Sequence, residues 1–164
     1  KLLRAGPRRE PLRRSREVDL RVVTRRAEQT NPSAAPLADD PVISVEPRLM
    51  IAVNMRTGAQ RPLTEFRGAP VHAVAAIGHP EAFFQSLRSR GLELREHPYA
   101  DHADLRSGDI DFKGGAVLMT EKDAVKCLSF ADDRHWSVPL ELEVSAADTE
   151  IVLNLLERII RYRR

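Results

Sequence analysis

The chain has 164 residues, of which 42% are hydrophobic and 30% are charged, a balance typical of a globular protein with one domain and part of a second. It contains no run of about 18 apolar residues, so the sequence predicts no membrane-spanning helix. The single cysteine, Cys127, excludes an internal disulfide and fits a reducing compartment. We expect it to be a small buried hydrophobe rather than a reactive thiol.

Positive charge is concentrated at the amino-terminal end. Residues 1–26 hold ten basic and three acidic residues, whereas the formal charge of the whole chain is only +2. So basic a segment either attracts phosphates, on nucleic acid or on a membrane surface, or forms a solvated loop. It opens with KLLRAGPRREPLRR instead of an apolar strand or a signal peptide, and we therefore expect the chain to be cut from a longer one.

The elements predicted for the first part of the chain are short. Residues 18–24 predict a strand, and residues 30–41, with three prolines, predict a loop or linker. The alternating pattern of residues 42–63 predicts two short strands joined by a turn at the RTG sequence. We therefore expect a domain boundary between about residues 30 and 68.

From Pro70 onward, predicted strands alternate with predicted helices. The strands are residues 71–78, 92–97, 116–119 and 136–144, and the helices are 79–91, one starting at Glu121, and a last one after Ser145. Pro80 and Gly91 mark the ends of the first helix, and Ser145 with Asp148 forms a capping-box pattern. This alternation predicts an α/β fold, with a mostly parallel sheet and flanking helices.

Three segments leave the carboxyl ends of predicted strands: IGHP (77–80), YADH (99–102) and TEKD (120–123). In an open parallel sheet, ligands bind beyond these strand ends. We therefore expect Gly78, His102 and Lys122 to share one edge and to face one opening.

The charged start of the helix at Glu121 has two interpretations. Thr120 and Asp123 fit a capping box, and Glu121 in the first turn suits the helix dipole. These effects do not explain Lys122 and Lys126, whose positive charges near a helix start would suit a docked anion.

Asp101 and His102 are either an ordinary surface pair or a proton-transfer group, because histidine titrates near neutral pH. The five histidines lack metal-ligand spacing, and neither G-x-x-x-x-G-K-[ST] nor G-x-G-x-x-G occurs. The chain by itself therefore predicts no metal site and holds half of a functional site at most.

The motifs VLMTEKDAVKC, AVAAIGHPEAFF and YADH resemble the carboxy-terminal half of the tetraacyldisaccharide 4'-kinase family of lipid A biosynthesis, and LLRAGPRREPLRR is similar to a segment following its nucleotide-binding motifs. The resemblance implies a P-loop-type kinase that moves the γ-phosphate of ATP to the 4'-hydroxyl of a tetraacyldisaccharide 1-phosphate. It also implies three parts: a remnant of the amino-terminal lobe (1–41), a two-stranded interlobe connection (42–68) and a carboxy-terminal α/β lobe (69–164).

The resemblance implies roles for individual residues. The family's D-H-H motif corresponds to Asp101, His102 and Ala103, so His102 is expected to assist an upstream aspartate in deprotonating the lipid hydroxyl, with Asp101 in support. The chain departs from the family at Ala103, where a second histidine is usual, and at Ala76, where glycine is more common. Nucleotide or interlobe contact is the expected role of the motif residues Thr120, Glu121, Lys122, Asp123 and Lys126, and nucleotide contact is also expected of Gly78.

The resemblance further implies that ATP and Mg²⁺ bind mainly to an upstream half, so that this chain alone is inactive. The expected partners are the disaccharide lipid and the cytoplasmic surface of the bacterial inner membrane, with no nucleic acid and no disulfide-linked partner. Two alternatives stay open. One is a basic nucleic-acid-binding module built on residues 1–26, for which 5% aromatic residues is low. The other is a non-catalytic α/β interaction domain whose site residues are only caps and turns.

Overall fold

The computed structural model describes residues 18–24 and 42–162. Most of the basic amino-terminal segment and the predicted linker at 30–41 lie outside the described residues. The strands are β1 (Arg21–Thr24), β2 (Val42–Arg48), β3 (Ile51–Asn54), β4 (Gln60–Pro62), β5 (Val71–Ala75), β6 (Leu94–Pro98), β7 (Val117–Thr120), β8 (His135–Val138) and β9 (Glu141–Val144). The helices are α1 (Pro80–Ser89), α2 (Ser107–Ile110), α3 (Glu121–Cys127) and α4 (Ala146–Tyr162), with 3-10 turns at Leu63–Phe66 and Leu128–Phe130.

The described residues fall into two compact units. One runs from Arg48 to Glu141, and the other contains the described residues up to Pro47 together with those from Leu142 onward. This division passes through the predicted connection at 42–68, and the role of that segment as a link between lobes stays a prediction.

The unit of residues 48–141 is built on a six-stranded sheet in the order β4-β3-β8-β7-β5-β6. The four strands β8, β7, β5 and β6 are mutually parallel, which confirms the predicted mostly parallel sheet. At one side, β3 pairs antiparallel with both β4 and β8. The predicted turn at RTG joins β3 to β4, and Asn54 Oδ1 accepts the backbone N–H groups of Arg56 and Thr57 there. Residues 42–63 form three strands instead of the two predicted, because β2 ends before this hairpin and belongs to the other sheet.

Two hydrophobic clusters form the core of this unit. The first includes Phe83, Phe84 and Leu87 of α1, and the second includes Ala124 and Cys127 of α3. All five residues of β5 are buried, as is typical of a parallel strand covered on both faces. Helix α1 begins at Pro80 as predicted, and Gly91, with φ of 82°, follows its end.

The predicted extended run at 136–144 is two strands in different sheets, which corrects the sequence prediction. Strand β8 belongs to the six-stranded sheet, whereas β9 belongs to a three-stranded sheet of order β1-β2-β9. Pro139 lies between them, and its missing N–H interrupts a ladder of hydrogen bonds.

In the second unit, β1 and β2 are parallel and α4 follows β9. The Ser145 hydroxyl caps α4 by accepting the N–H of Asp148 at 3.0 Å. The Asp148 carboxylate does not complete the predicted capping box but accepts the N–H of Ser44 at 3.2 Å, which ties the helix start to β2. No helix in the described part of the chain combines the length and apolarity needed to cross a bilayer.

Candidate functional site

The segments that follow β5, β6 and β7 meet at the carboxyl edge of the parallel strands. Lys122 Nζ lies 3.2 Å from Asp101 Oδ1 and 3.5 Å from His102 Nε2. A Cβ atom added to Gly78 would lie 3.5 Å from Asp101 Oδ2. The structure therefore brings Gly78, Asp101, His102 and Lys122 together, and we call these four residues the carboxyl-edge cluster.

The charged side chains of this cluster are open to solvent. The side chains of His102, Asp101 and Lys122 are 74%, 47% and 43% exposed. The Lys122 ammonium donates a hydrogen bond to Asp101, and this contact holds the pKa of the Asp101 carboxyl below its usual range. An imidazole, a carboxylate and an ammonium are thus accessible to a ligand at one point of the edge.

His102 has a left-handed backbone, with φ of 62°, and is alone among the described non-glycine residues in having a positive φ. Its N–H donates to the Ala76 carbonyl at 3.2 Å, and the Ala103 N–H donates to the Ala100 carbonyl at 3.0 Å. Histidine is one of the few residues besides glycine that adopts this conformation with some frequency. Such conformations persist where the surrounding structure enforces them, and they concentrate at functional sites.

The start of α3 follows the predicted cap in part. Thr120 Oγ1 accepts the N–H of Asp123 at 3.3 Å, as the T-x-x-D pattern predicts. The Asp123 carboxylate instead accepts the Thr120 hydroxyl at 2.6 Å and the N–H of Ala76 at 2.9 Å. Asp123 is completely buried, and it joins the first turn of α3 to the end of β5.

Lys122 lies in the first turn of α3, whereas Lys126 lies in its last turn, where the helix dipole favours positive charge and not the predicted docked anion. Both lysines contact the segment after β6. Lys122 contacts Asp101, and Lys126 Nζ lies 2.9 Å from the Ala103 carbonyl and 3.4 Å from Asp123 Oδ1. Glu121 Oε2 accepts the N–H of Leu140, so its carboxylate is engaged with the connection after β8. Thr120 is engaged in the cap, and the expected nucleotide contacts of Thr120 and Glu121 stay predictions.

Sequence reasoning missed the part played by Ala76, Asp123 and Lys126. The T-x-x-D pattern identified Asp123 as a helix cap, and the family motif implied nucleotide or interlobe contact for Asp123 and Lys126. No sequence signal connects Lys126 with Ala103. His79 precedes α1, but its side chain makes no capping hydrogen bond.

Cys127 is fully buried, and burial raises the pKa of its thiol to about 11. The thiol is therefore protonated at neutral pH and unreactive, which confirms the prediction of a small buried hydrophobe.

A second polar cluster was not anticipated from the sequence. His72 Nδ1 lies 2.9 Å from His97 Nε2, and both rings stack on Phe112 with ring centroids 4.5 and 3.8 Å away. Burial is the main cause that lowers the pKa of each histidine. Among residues 18–24 and 42–162, no group of three or more His, Cys, Asp or Glu side chains could hold a metal ion.

Comparison with known proteins identifies the family to which this chain is similar. A family model for tetraacyldisaccharide-1-P 4'-kinase matches residues 1–160. The tetraacyldisaccharide 4'-kinase of Nitrosococcus oceani is 43% identical over 157 residues, which are 95% of this chain and 43% of that protein. The corresponding kinase of Xanthomonas euvesicatoria is 42% identical, over 97% of this chain and 47% of that protein.

A solved structure shows the same fold. The crystal structure of LpxK from Aquifex aeolicus, an "apo" form in complex with ATP, superposes with a TM-score of 0.73 at 23% identity, over 97% of this chain and 48% of that one. This chain spans less than half the length of these relatives. On the extent of the family match and the level of identity, the chain belongs to the tetraacyldisaccharide 4'-kinase family.

Proposed function

We propose that this chain is the carboxy-terminal half of a lipid kinase, which transfers the γ-phosphate of ATP to the 4'-hydroxyl of a tetraacyldisaccharide 1-phosphate. Family membership and the names of the relatives support this activity. The observation that carries the site is the carboxyl-edge cluster, where Lys122 Nζ lies 3.2 Å from Asp101 and 3.5 Å from His102.

Phosphoryl transfer depends mostly on positioning and on neutralising charge. We assign to His102 the task of helping an upstream aspartate to take the proton of the attacking hydroxyl, because a neutral imidazole accepts a proton near neutral pH. The Lys122 ammonium is suited to a nucleotide phosphate, and Asp101 orients it through their hydrogen bond. We assign to Gly78 a place beside the nucleotide, because a Cβ atom at this position would lie 3.5 Å from Asp101 Oδ2, in van der Waals contact with the cluster.

ATP supplies the phosphoryl group in this reaction, and Mg²⁺ neutralises charge on the phosphates. We place both mainly in the upstream half, together with a P-loop. No group of three potential metal ligands occurs among the described residues, and we assign no step in this chain to the ion.

We also propose that the protein works at the cytoplasmic face of the inner membrane as a peripheral enzyme, because its substrate is a lipid. The ten basic residues within residues 1–26 support this placement. Basic residues close to an anionic membrane surface gain roughly 1 kcal/mol each.

The test of this function begins with the reading frame upstream of Lys1, where we expect a G-x-x-x-x-G-K-[ST] motif. The protein encoded by the complete frame should transfer phosphate from ATP to tetraacyldisaccharide 1-phosphate, measured by thin-layer chromatography with labelled ATP. This chain alone should transfer none. A folded full-length protein without such a motif or without such transfer would refute the proposal.

His102 is tested in the full-length protein by substitution with Asn, Gly and Ala. Asn and Gly tolerate the left-handed backbone, whereas Ala adds strain of about 1 kcal/mol. We expect turnover to fall on the order of a hundredfold in all three variants, with the melting temperature lowered mainly by His102→Ala.

Asp104→Asn is the matched control for the His102 variants, because Asp104 is an exposed residue on the same segment, and its turnover should be unchanged. Normal turnover in a folded His102→Asn protein would show that His102 takes no part in the reaction.

A further inference from the structure

We infer that Lys126, anchored by the buried Asp123, is a positioning residue that fixes the turn carrying His102. The inference rests on the proposed function of His102, and it names a residue that acts through the turn rather than on the substrate. The contacts of Lys126 are with the Ala103 carbonyl and with Asp123.

Asp123 provides a fixed anchor for Lys126. Its side chain is fully buried and accepts hydrogen bonds from three donors: the Ala76 N–H, the Thr120 hydroxyl and the Lys126 ammonium. A buried carboxylate has to be satisfied by donors or by an opposite charge. The ammonium of Lys126 is therefore held close to α3 and β5 rather than extended into solvent.

The turn at residues 100–103 is held from several sides. The His102 N–H donates to the carbonyl of Ala76, the same residue whose N–H donates to Asp123. Lys126 adds a restraint from α3, through a charge-assisted hydrogen bond of 2.9 Å to the Ala103 carbonyl. A left-handed non-glycine residue such as His102 costs free energy, and it persists only where contacts of this kind enforce it.

A contact one residue away from His102 affects catalysis through geometry. A reacting group displaced by about 1 Å can lose roughly a hundredfold in rate. Loss of Lys126 would release the carbonyl of Ala103 and allow the turn to relax toward an ordinary φ. The competing explanation is that Lys126 only neutralises the buried charge of Asp123, so the experiment has to separate the two effects.

Four proteins separate positioning from charge neutralisation, each made in the full-length protein. Lys126→Met removes the ammonium and keeps an apolar stem, and Lys126→Arg keeps a donor for Ala103. The double variant Lys126→Met with Asp123→Asn removes the buried charge as well, while the Asn carbonyl can still accept the Ala76 N–H. Lys113→Met is the matched control, because Lys113 is an exposed lysine.

The kinetic readout compares the change in kcat with the change in the KM for ATP. We expect Lys126→Met to lower kcat roughly tenfold or more with little change in KM, Lys126→Arg to recover most of kcat, and Lys113→Met to behave as wild type. The double variant should regain thermal stability but keep the low kcat. Full recovery of kcat in the double variant, or normal kcat in Lys126→Met, would overturn the inference.

The second readout is the backbone amide of His102 in protein labelled with ¹⁵N-histidine. We expect the amide signal of His102 to shift or broaden in Lys126→Met and in the double variant, while the signal of the buried His135 stays in place. An unchanged His102 signal would overturn the inference even where kcat falls. Since this measurement needs no turnover, a failure of the proposed kinase activity can be told apart from a failure of the positioning role.

Discussion

His72 and His97 illustrate how burial and a shared hydrogen bond oppose the protonation of both rings of a histidine pair. Their ring nitrogens are 2.9 Å apart, so one ring has to donate and the other to accept. Burial lowers the pKa of both, and the nearby charges of Arg95 and Arg134 lower that of His72 further. Two protonated rings would lose the shared hydrogen bond and repel each other.

This pair predicts a pH dependence of stability. Between the lowered pKa values and 6.5, the unfolded chain binds more protons than the folded one, so the free energy of unfolding falls as the pH drops below 6.5. Urea unfolding should show that the free energy of unfolding decreases more between pH 7.5 and pH 5.5 for wild type than for His97→Gln. His79→Gln, at an exposed position, should lose as much as wild type.

Equal losses in wild type and His97→Gln would show that the pair does not cause the effect. Asp132 does not interfere, because hydrogen bonds from Arg134 lower its carboxyl pKa to about 2. The stability that Asp132 contributes is lost only when the pH falls from about 4 through that value.

At the residue scale, the sequence predicted which residues lie close together better than it predicted the hydrogen bonds that they form. Gly78, His102 and Lys122 could be placed at one edge because parallel strands end at the same side of a sheet. The partners of Lys126 and Asp123 could not be predicted, because they depend on how far the turn after β6 bends back toward α3. The left-handed backbone of His102 had no sequence signal either, since histidine is not restricted to that conformation.

Helix α3 is the element that holds the site together, because its first turn contacts both neighbouring segments. The Thr120 hydroxyl accepts the N–H of Asp123 and donates to the Asp123 carboxylate. Its loss would remove a helix cap and leave a buried carboxylate with one donor fewer.

We therefore predict that Thr120→Ala lowers the free energy of unfolding by about 2 kcal/mol, of which a helix cap supplies about 1 kcal/mol and the lost donor the rest. Thr120→Ser keeps the hydroxyl and should lose less than half of that amount. Urea unfolding followed by circular dichroism measures both variants. Equal losses for Ala and Ser would mean that the methyl group, and not the hydroxyl, provides the stability.

Elements with local signals were predicted well. The limits of α1 follow from Pro80 and Gly91, and the hairpin of β3 and β4 follows from its turn residues. The pairing of β9 in the sheet with β1 and β2 was not predicted. It joins residues about a hundred positions apart, and no local pattern encodes such a contact.

At the scale of the whole molecule, both hydrophobic clusters lie within residues 48–141. The apolar residues of α4 are different, since Leu153, Leu156 and Ile160 are each about half exposed. Ile43 and Val45 of β2 are buried in the other unit, but most of the buried hydrophobic residues of the described chain belong to the unit with the six-stranded sheet.

We predict that residues 48–141 fold when expressed alone. Urea should unfold this segment in one cooperative transition, and its proton spectrum should show dispersed amide signals. Leu118→Asp, at a fully buried position, should abolish the transition and serves as a negative control. A gradual loss of signal without a transition in the unchanged segment would show that it needs the remainder of the chain.

The order of the six-stranded sheet also bears on how this segment behaves at high concentration. Its two outermost strands, β4 and β6, each end with a proline, Pro62 and Pro98. Strand β4 has only three residues, and the exposed Arg88 of α1 forms an ion pair with Glu96 of β6. A short edge strand, charged side chains and missing backbone N–H donors all disfavour pairing with a strand of another molecule. Concentrated solutions of the segment should therefore resist fibril growth.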